Sequence, residues 1–427
     1  MIGSSAHSAP LSDVVDKAVA TIPAVSTAQA RRQSAEERVR VERGALFPTV
    51  NIRGESGYQY YNAPTTRAGT TGDHTELWRS EGRIVATQLL YDGGKTFSLM
   101  DEAQNNLAAA TYRINDAKQQ VALQAAAAYI DVLRNQAFVD IAKENVAAHE
   151  KLLADVRRLV RSGRASDSDI SQAQARLALA QANLENRQGE LQTTAARYTR
   201  AVGEPPEDLI SPPPPPDPAT INLADMSEAA VKQNPQMMVA RSVIDARRSA
   251  YEATDGLFVP TVELELSGSK GNNIDGLRGH TDDYRAMLVL TWNLYRGGSD
   301  SARAREARAN LTAVKYDEAD TMRFVREHVR AAYESYLKDF SRQKPLQQRV
   351  DENRKLITAY KQQFELGRRT LLDLLDVQNE LFVSRAELAD AQHSTMFDFY
   401  DLHAAAGDLL EQFSIEPEKP KKVMMFE

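Results

Sequence analysis

An internal duplication constrains this chain more than any other feature of its sequence. Four short segments of the first half recur in the second half in the same order. The pairs are Phe47-Pro48-Thr49-Val50 with Val259-Pro260-Thr261-Val262, Tyr91-Asp92-Gly93-Gly94 with Tyr295-Arg296-Gly297-Gly298, Ala127-Ala128-Tyr129 with Ala331-Ala332-Tyr333, and Ser162-Gly163-Arg164 with Leu366-Gly367-Arg368. The prolines lie 212 residues apart and the later segments 204, so the first half carries eight extra residues between its proline and its Gly-Gly. A period of half the chain predicts two structural repeats built on one plan.

The duplication divides the 427 residues into two repeats, a connector and a tail. We assign the first repeat to 11–205 and the second to 222–413. The connector, 206–221, contains five consecutive prolines, Pro212 to Pro216, which favour an extended polyproline II conformation. The last segment, 414–427, is charged and interrupted by proline, and this composition predicts a flexible tail.

Each repeat has the same predicted order of elements: a helix, two strands, a very long helix, a glycine turn and another long helix. In the first repeat they cover about 24–46, 49–62, 76–90, 95–161 and 167–203, and in the second about 237–258, 261–272, 282–295, 299–365 and 370–411. At 1.5 Å per residue, the longer helices extend about 100 Å, which a globular domain of this mass cannot accommodate. Pro345 lies inside the second of them and is expected to bend or interrupt it.

The long helices carry apolar residues in steps of three and four, as coiled coils do. In the helix over 167–203 the step is kept by Ile170, Ala173, Leu177, Ala180 and Leu184. Small alanine side chains on such a seam let helices approach closely. The pattern predicts long helices packed side by side.

The predicted strands alternate apolar and polar side chains. In the last strand, Leu288, Leu290 and Trp292 alternate with Thr291 and Asn293. This pattern fits a soluble, half-buried sheet, and it fits equally well barrel strands with lipid on one face and water on the other. If the strands span a membrane, four per chain cannot close a barrel without open edges, so several chains must share one; three chains would supply twelve strands.

Composition and motifs exclude several classes of function. With 52 basic and 59 acidic side chains the net charge is −7, whereas a protein that coats nucleic acid would be strongly basic. Without cysteine there is no disulfide, thiolate metal site or cysteine nucleophile. The seven histidines show no metal-ligand spacing, and Gly93-Gly94-Lys95-Thr96 lacks the leading glycine of a phosphate-binding loop. We therefore expect no enzyme activity, no cofactor and no nucleic-acid partner.

No run of 18 apolar residues is present, so the sequence predicts no transmembrane helix. The first ten residues lack the apolar stretch of a secretory signal. We expect either a cytoplasmic protein or a chain from which a signal peptide has been removed.

Five segments of the sequence carry a family resemblance. They are Leu46-Phe47-Pro48-Thr49, Phe258-Val259-Pro260-Thr261, Leu90-Tyr91-Asp92-Gly93-Gly94, Leu294-Tyr295-Arg296-Gly297-Gly298 and Phe364-Glu365-Leu366-Gly367-Arg368-Arg369-Thr370-Leu371-Leu372-Asp373-Leu374-Leu375-Asp376-Val377-Gln378. Each segment is short, but in this order, and duplicated with one offset, they resemble the TolC family of outer-membrane channel proteins. The resemblance covers about 11–413.

The resemblance implies a mostly α-helical fold with a membrane β-barrel contribution. Three copies would form a homotrimer, in which a twelve-stranded β-barrel in outer-membrane lipid continues into a twelve-helix α-barrel tunnel in the periplasm. Such proteins are not enzymes; they are exit ducts in the bacterial outer membrane. Their partners are a periplasmic adaptor protein and an inner-membrane transporter, here of the ABC type or, as the alternative, of the RND type.

In the family, aspartates line the periplasmic mouth of the tunnel. By motif position this ring corresponds to Asp373 and Asp376, which lie three residues apart and therefore on one helical face. Threefold symmetry would place six carboxylates around the mouth, where they would attract cations and raise some of one another's pKa values. We expect no resident metal, but we expect divalent or trivalent cations to plug this ring. Two solvated carboxylates on an exposed face are the alternative.

A polar network that includes an arginine holds the mouth closed in the family. By position the arginine is Arg369, and its partners in the first repeat are Ser168 and Asp169. The aromatic residue of the network falls at Phe364, which has no hydroxyl group, so one hydrogen bond should be missing. An ordinary surface arginine near a turn is the alternative.

The two glycine turns are the tips that meet the adaptor in this interpretation. The residues expected to contact it are Ser162, Gly163, Arg164, Leu366, Gly367 and Arg368. Ser166 and Thr370 are expected to be N-caps of the helices that follow. Tight turns without any partner would explain the glycines equally well.

Two assignments of the duct's cargo are open. The stretch 371–382 looks most like family members that serve type I protein secretion, and multidrug or other small-molecule efflux is the alternative. A protein of another class, a soluble coiled-coil scaffold with a small sheet, would dissolve without detergent and show no conductance. The longer first hairpin, around 63–73, is expected to be an extracellular loop.

Overall fold

The structure is a computed structural model that describes residues 10–64 and 74–422. In chain order its helices and strands are α1 (Leu11–Thr21), α2 (Pro23–Gly44), β1 (Thr49–Tyr61), β2 (Thr75–Tyr91), α3 (Lys95–Arg161), α4 (Asp167–Val202), α5 (Leu223–Gln233), α6 (Pro235–Glu252), β3 (Thr261–Asn272), β4 (His280–Thr291), α7 (Ser299–Glu365), α8 (Leu371–Ala406) and α9 (Leu409–Gln412). The expected mostly α-helical fold with a β contribution is confirmed, and in the single chain the β part is one four-stranded antiparallel sheet. The hairpin loop expected around 63–73 lies almost entirely outside the described residues.

Three elements end four or more residues earlier than the sequence predicts. α6 ends at Glu252 and is followed by a short 3-10 helix, Ala253–Leu257. β4 ends at Thr291 rather than near 295. α8 ends at Ala406 because Gly407 has a φ of 93°, a left-handed conformation that glycine adopts without steric cost and that closes a helix.

Of the two effects predicted for Pro345, a bend or an interruption of its helix, the interruption is wrong and the bend stays a prediction. α7 is continuous through this residue, although an interior proline removes a backbone donor and costs roughly 3 kcal/mol. Side chains on both sides of the proline bind α8. Gln343 donates a hydrogen bond to the Thr395 hydroxyl at 2.6 Å, and Arg349 lies 2.5 Å from the Glu387 carboxylate. These contacts to the neighbouring helix offset the local loss.

The described residues form two compact units. The first, the helical unit, comprises residues 10–30, 111–238 and 319–419. The second, the sheet unit, comprises residues 31–64, 74–110, 239–318 and 420–422. α3 and α7 each contribute residues to both.

The helical unit has an equivalent core in each repeat. In one core, α1, α3 and α4 of the first repeat, joined by α9 from the end of the second, pack around the buried side chains of Tyr129 and Tyr198. In the second, α5, α6, α7 and α8 pack around Met237 and Tyr336. The duplication of the sequence therefore corresponds to two similar hydrophobic cores in the structure. No helix in the described part of the chain is long and apolar enough to cross a membrane.

Tyrosine side chains bind the proline-rich connector to the helical unit. The Tyr129 hydroxyl donates a hydrogen bond to the Ile210 carbonyl at 2.6 Å and accepts one from the Ile210 N–H at 2.8 Å. The Tyr336 hydroxyl donates to the Pro216 carbonyl. An extended proline-rich segment makes no internal hydrogen bonds, so donors from elsewhere satisfy its carbonyl groups.

Residues 414–422 do not form the flexible tail that the sequence predicts. The Asn115 side chain on α3 donates to the Glu418 carbonyl at 2.9 Å and accepts from the Glu418 N–H at 2.7 Å. The Lys118 ammonium lies 3.3 Å from the Glu418 carboxylate. Composition did not reveal this docking because the partner residues lie some 300 positions earlier in the chain. Residues 423–427 lie outside the described part.

The sheet unit contains one antiparallel sheet with the strand order β1-β2-β3-β4. The register places like side chains opposite one another, as in Ile52 with Ile84 and Leu264 with Leu288. Apolar side chains therefore gather on one face. Within the described residues the pairing stops at β1 and β4, so each outer strand leaves one edge of backbone groups unpaired.

Candidate functional site

The two glycine turns share one backbone geometry. Gly163 and Gly367 have φ values of 72° and 71°, in the left-handed region that favours glycine. In both turns the N–H of the following arginine donates to a carbonyl five residues earlier, at 2.9 and 2.8 Å, which is the Schellman arrangement of a helix end. The six residues predicted to contact an adaptor are all exposed in these turns: Ser162, Gly163, Arg164, Leu366, Gly367 and Arg368.

A capping box starts the helix after each turn, and the N-caps expected at Ser166 and Thr370 are confirmed. The Ser166 N–H donates to the Asp169 carboxylate at 2.8 Å, and the Thr370 N–H donates to the Asp373 carboxylate at 3.1 Å. The two aspartates lie 204 residues apart, so they are equivalent positions of the two repeats. The roles predicted for them, a partner of Arg369 at Asp169 and a ring carboxylate at Asp373, do not reflect this equivalence.

The capping box affects the pKa of Asp373. Hydrogen bonds from the hydroxyl and the N–H of Thr370 hold the pKa of Asp373 below its usual range. The expected rise in pKa is therefore not found in the single chain, where donors rather than like charges surround the carboxylate. No group of three or more His, Asp or Glu side chains among the described residues is placed to hold a metal ion. The predicted plugging by cations would need carboxylates from more than one copy.

Asp376 is the more available carboxylate of the predicted ring, with its side chain 61% exposed. Its carboxylate lies 3.6 Å from the guanidinium of Arg176. Arg176 belongs to α4 and Asp376 to α8, so this ion pair joins the two repeats at the tip. No sequence signal singled out Arg176, because the pairing depends on how α4 is rotated against α8.

Arg369 does not make the cross-repeat pair that the sequence suggested. Among the described residues no ion pair joins it to Asp169, whose carboxylate is used in the capping box. Its Nε donates to the Gln363 side chain at 3.2 Å, and its guanidinium lies 4.4 Å from the centre of the Tyr360 ring. Its third contact is the Asp373 carboxylate at 3.9 Å. All three partners belong to the second repeat.

The other two members of the predicted network have local roles. Phe364 packs against the apolar cluster beneath the turns. The aromatic contact of Arg369 comes instead from Tyr360, one helical turn earlier. The Ser168 hydroxyl hydrogen-bonds to the Ser166 hydroxyl, next to the capping box.

An apolar cluster from four helices supports the tip. Its buried members include Leu153 and Val156 of α3, Ala173 of α4 and Leu375 of α8, and Phe364 of α7 packs against them. Above it lies a cleft of about 560 Å³ lined by residues of both turns. The polar residues of the tip therefore rest on a packed base that fixes their positions.

The sheet presents an apolar face that nothing in the described chain covers. None of the described strand residues is buried, and Ile52 and Leu288 are 81% and 68% exposed. The opposite face is charged: the Arg83 guanidinium, for example, lies 2.9 Å from the Glu81 carboxylate. A soluble half-buried sheet would cover its apolar face with other parts of the chain. The described residues supply no such layer.

The sequence profile of one protein family matches nearly the whole chain. The family is described as outer membrane efflux protein, and it matches residues 14–204 and 226–408. The two matched ranges follow the two repeats, and the connector falls in the gap between them.

Individual relatives agree with this match. The outer membrane protein TolC of Vibrio cholerae is 25% identical over 416 residues, which cover 94% of this chain and 91% of TolC. The alkaline protease secretion protein AprF of Pseudomonas aeruginosa is 24% identical and covers 86% of this chain and 78% of AprF. In fold, the chain is similar to the crystal structure of the outer membrane protein VceC of Vibrio cholerae, with a TM-score of 0.79, 16% identity, and coverage of 93% of this chain and 96% of VceC.

Proposed function

Because this chain belongs to the outer membrane efflux protein family, we propose that it is the exit duct of a tripartite export machine. The family and its fold are those of bacterial outer-membrane channels. The observation that carries the proposal is the exposed apolar face of a sheet whose two outer edges are unpaired. Lipid is the environment in which such a face is favourable, and only a closed set of strands is stable there.

The proposed duct is a homotrimer. One chain supplies four strands, and three chains would supply the twelve needed for a barrel with no open edge. The apolar faces would contact outer-membrane lipid and the charged faces would line the water-filled lumen. Each copy would add α3, α4, α7 and α8 to the wall of the tunnel.

The exposed turns at the helix tips are the proposed contact for a periplasmic adaptor protein. Both turns have one backbone geometry, so a partner can bind each of them in the same way. The adaptor in turn would bind an inner-membrane transporter, for which we favour the ABC type over the RND type. The duct itself is passive in this mechanism: it provides a path, and the transporter supplies the energy.

For the cargo, we favour a secreted protein over a small molecule. The stretch 371–382 supports this choice, as does the similarity to AprF, which is described as a protease secretion protein. Efflux of small toxic molecules is the second candidate, and the family's description as efflux protein favours it. The two candidates differ in what accumulates inside the cell when the duct is absent.

Deleting the gene in its own host tests both candidates. Type I secretion predicts that one or a few proteins disappear from the culture medium while tolerance to dyes, detergents and antibiotics is unchanged. A copy of the gene should restore the secreted proteins. Lost tolerance with an unchanged set of secreted proteins would instead support efflux, and no change in either would contradict the duct.

A further inference from the structure

The apolar face of the sheet is interrupted by a polar recess near the turn from β3 to β4. Because side chains alternate between the two faces of a strand, the register assigns the recess to the face that carries Ile52 and Leu288. Two consecutive cross-strand rows line it with small or polar residues: Gly54, Gly82, Lys270 and Asp282 in one, and Ser56, Ser80, Asn272 and His280 in the next. The recess has a volume of about 840 Å³. An otherwise apolar face therefore has one place that suits a polar ligand.

Aromatic side chains border the recess on both sides. The next row on one side contains Ile52, Ile84 and Tyr284, and the next row on the other side contains Tyr58 and Trp78. The Trp78 Nε1–H donates a hydrogen bond to the Ser56 hydroxyl at 3.0 Å, so the aromatic row directly contacts the recess. Aromatic residues on the outer face of a membrane barrel mark the interface with water. In the proposed duct the recess therefore lies at the depth of the lipid head groups.

An exposed ion pair in the recess agrees with this depth. The side chains of Lys270 and Asp282 are 71% and 54% exposed, and the ammonium lies 3.9 Å from the carboxylate. On a lipid-facing strand, a lysine is costly at the bilayer midplane and much less costly near the interface. An ammonium group has three donors, so Lys270 can bind an anionic ligand while it remains beside Asp282.

Two glycines form the floor of the recess. Gly54 and Gly82 are paired directly, neither is among the glycines with positive φ, and a Cβ atom at either would meet no atom within 4 Å. Neither backbone conformation nor packing within the chain therefore explains them. A glycine in the interior of a strand weakens the strand, and it is typical of a site where a ligand approaches the backbone closely.

We propose that this recess binds the head group of a phosphorylated glycolipid of the outer membrane. Lys270 would donate to a phosphate oxygen. Asp282 only accepts hydrogen bonds, so it would bind a sugar hydroxyl of the same head group. The acyl chains would then lie against the apolar row of Ile52 and Ile84. The inference rests on the proposed function, because it requires this face of the sheet to be in lipid.

The occupant is a lipid rather than a free anion because of what surrounds Lys270. A free phosphate would be attracted by Lys270 but repelled by Asp282, and it would leave the adjoining apolar row uncovered. A phosphorylated glycolipid has the acceptors, the donors and the apolar chains that these three features require. The long helices α3 and α7 follow the other ends of β2 and β4. In the proposed duct those helices are periplasmic, so the recess faces the outer leaflet.

The fluorescence of Trp78 tests the proposal. The chain has two tryptophans, so the variant Trp292→Phe leaves Trp78 as the only one. The detergent-purified variant is titrated with lipid A, a diphosphorylated glucosamine disaccharide with acyl chains, and separately with the same lipid after its phosphates are removed. We expect the Kd to be lower by about tenfold or more for the phosphorylated lipid, because a charge-assisted hydrogen bond is lost with the phosphates. Inorganic phosphate alone should leave the emission of Trp78 unchanged.

Two substitutions in this background locate the site, and each has a control on the opposite face. Lys270→Gln should weaken binding of lipid A by about tenfold, whereas Arg53→Gln removes the same charge from the other face and should not. Gly82→Val should weaken binding of both lipids because its side chain fills the floor. Gly57→Val is its control, since an added Cβ at Gly57 also meets no atom within 4 Å but points to the other face.

Three outcomes would overturn the inference: equal affinity for the two lipids, equal binding by Lys270→Gln and Arg53→Gln, or a response to inorganic phosphate that matches the response to lipid A. Native mass spectrometry of the parent with each lipid repeats the comparison without any substitution. If the parent is a conducting trimer but shows no preference for lipid A, this inference is wrong while the duct is unaffected. If the parent is a water-soluble single chain, the proposed function fails and the inference fails with it.

Discussion

The charged residues at the helix tips have partners that assign each a different role. The Arg176–Asp376 pair joins the two repeats, whereas the three contacts of Arg369 lie inside the second repeat. A mouth that opens by separating the two repeats breaks only the contacts that join one repeat to the other. Arg176 is therefore a better candidate than Arg369, the residue favoured by the sequence alone, for the arginine that holds the mouth closed.

Replacing Arg176 should favour the open mouth. Arg176→Gln removes an exposed ion pair worth ~0–1 kcal/mol in each copy, so the open population should rise by up to about fivefold per pair. Single-channel conductance in planar bilayers measures this. Lys143→Gln is the control, because the pair between Lys143 and Asp140 lies within α3. Matching conductance in the two variants would exclude the Arg176–Asp376 latch.

A test of the charge of Asp373 requires a substitution that removes the negative charge but keeps the hydrogen bond of the capping box. Asn keeps a side-chain oxygen that can accept the hydrogen bond from the Thr370 N–H, whereas Ala removes this acceptor from the capping box. We expect the double variant Asp373→Asn, Asp376→Asn to lose block of the channel by divalent and trivalent cations while keeping the thermal stability of the parent. Undiminished block in that variant would contradict the proposed ring.

A buried carboxyl pair between α7 and α8 should make stability depend on pH. Asp339 and Asp398 are 6% and 8% exposed, and burial, followed by the charge of Asp339, raises the pKa of Asp398 to about 7. Lys338 lowers and Asp401 raises this pKa to a smaller extent. Because the folded-state pKa lies above the usual value, the stabilising contribution is present at low pH and is lost as pH rises through about 7.

The corresponding test is Asp398→Asn. The advantage of the variant in free energy of unfolding should be smaller at pH 5 than at pH 8, because the folded parent still holds the Asp398 proton at pH 5 and loses it as the pH rises through about 7. At pH 8 the variant should be more stable by about 1–2 kcal/mol, a value reduced from the full shift because solvent and Lys338 screen the charge. A constant difference between Asp398→Asn and the parent across this range would refute the assignment.

At the scale of elements, periodicity and turn residues predict length and order well. The steps of three and four in the long helices and the alternation in the strands are local signals, and the glycine turns mark the reversals. What the sequence did not reveal depends on partners far along the chain. The contact of Asn115 with Glu418 and the pair of Arg176 with Asp376 are set by how helices are rotated against each other and docked.

Pro345 is the element-scale case in which a local rule failed. Contacts to α8 hold α7 together across the proline, so the helix carries an unfavourable residue. Pro345→Ala restores a backbone donor and should stabilise the protein by about 1–3 kcal/mol. A higher thermal midpoint with unchanged helix content by circular dichroism is the expected result. A lower midpoint would mean that the proline is required for the shape of α7.

At the scale of the whole molecule, the sheet of one chain has surface that no other described part of the chain contacts. Within the described residues its sheet has two unpaired edges and an uncovered apolar face. The sequence pattern was compatible with a soluble sheet or a membrane sheet, because alternation alone does not say what covers the apolar face. The structure adds that the described chain does not cover it.

The most direct test is to count copies and measure conductance on the same detergent-purified sample. Native mass spectrometry should give a complex of three chains, and that complex should form ion-conducting channels in planar bilayers. A water-soluble single chain that does not conduct would contradict the account.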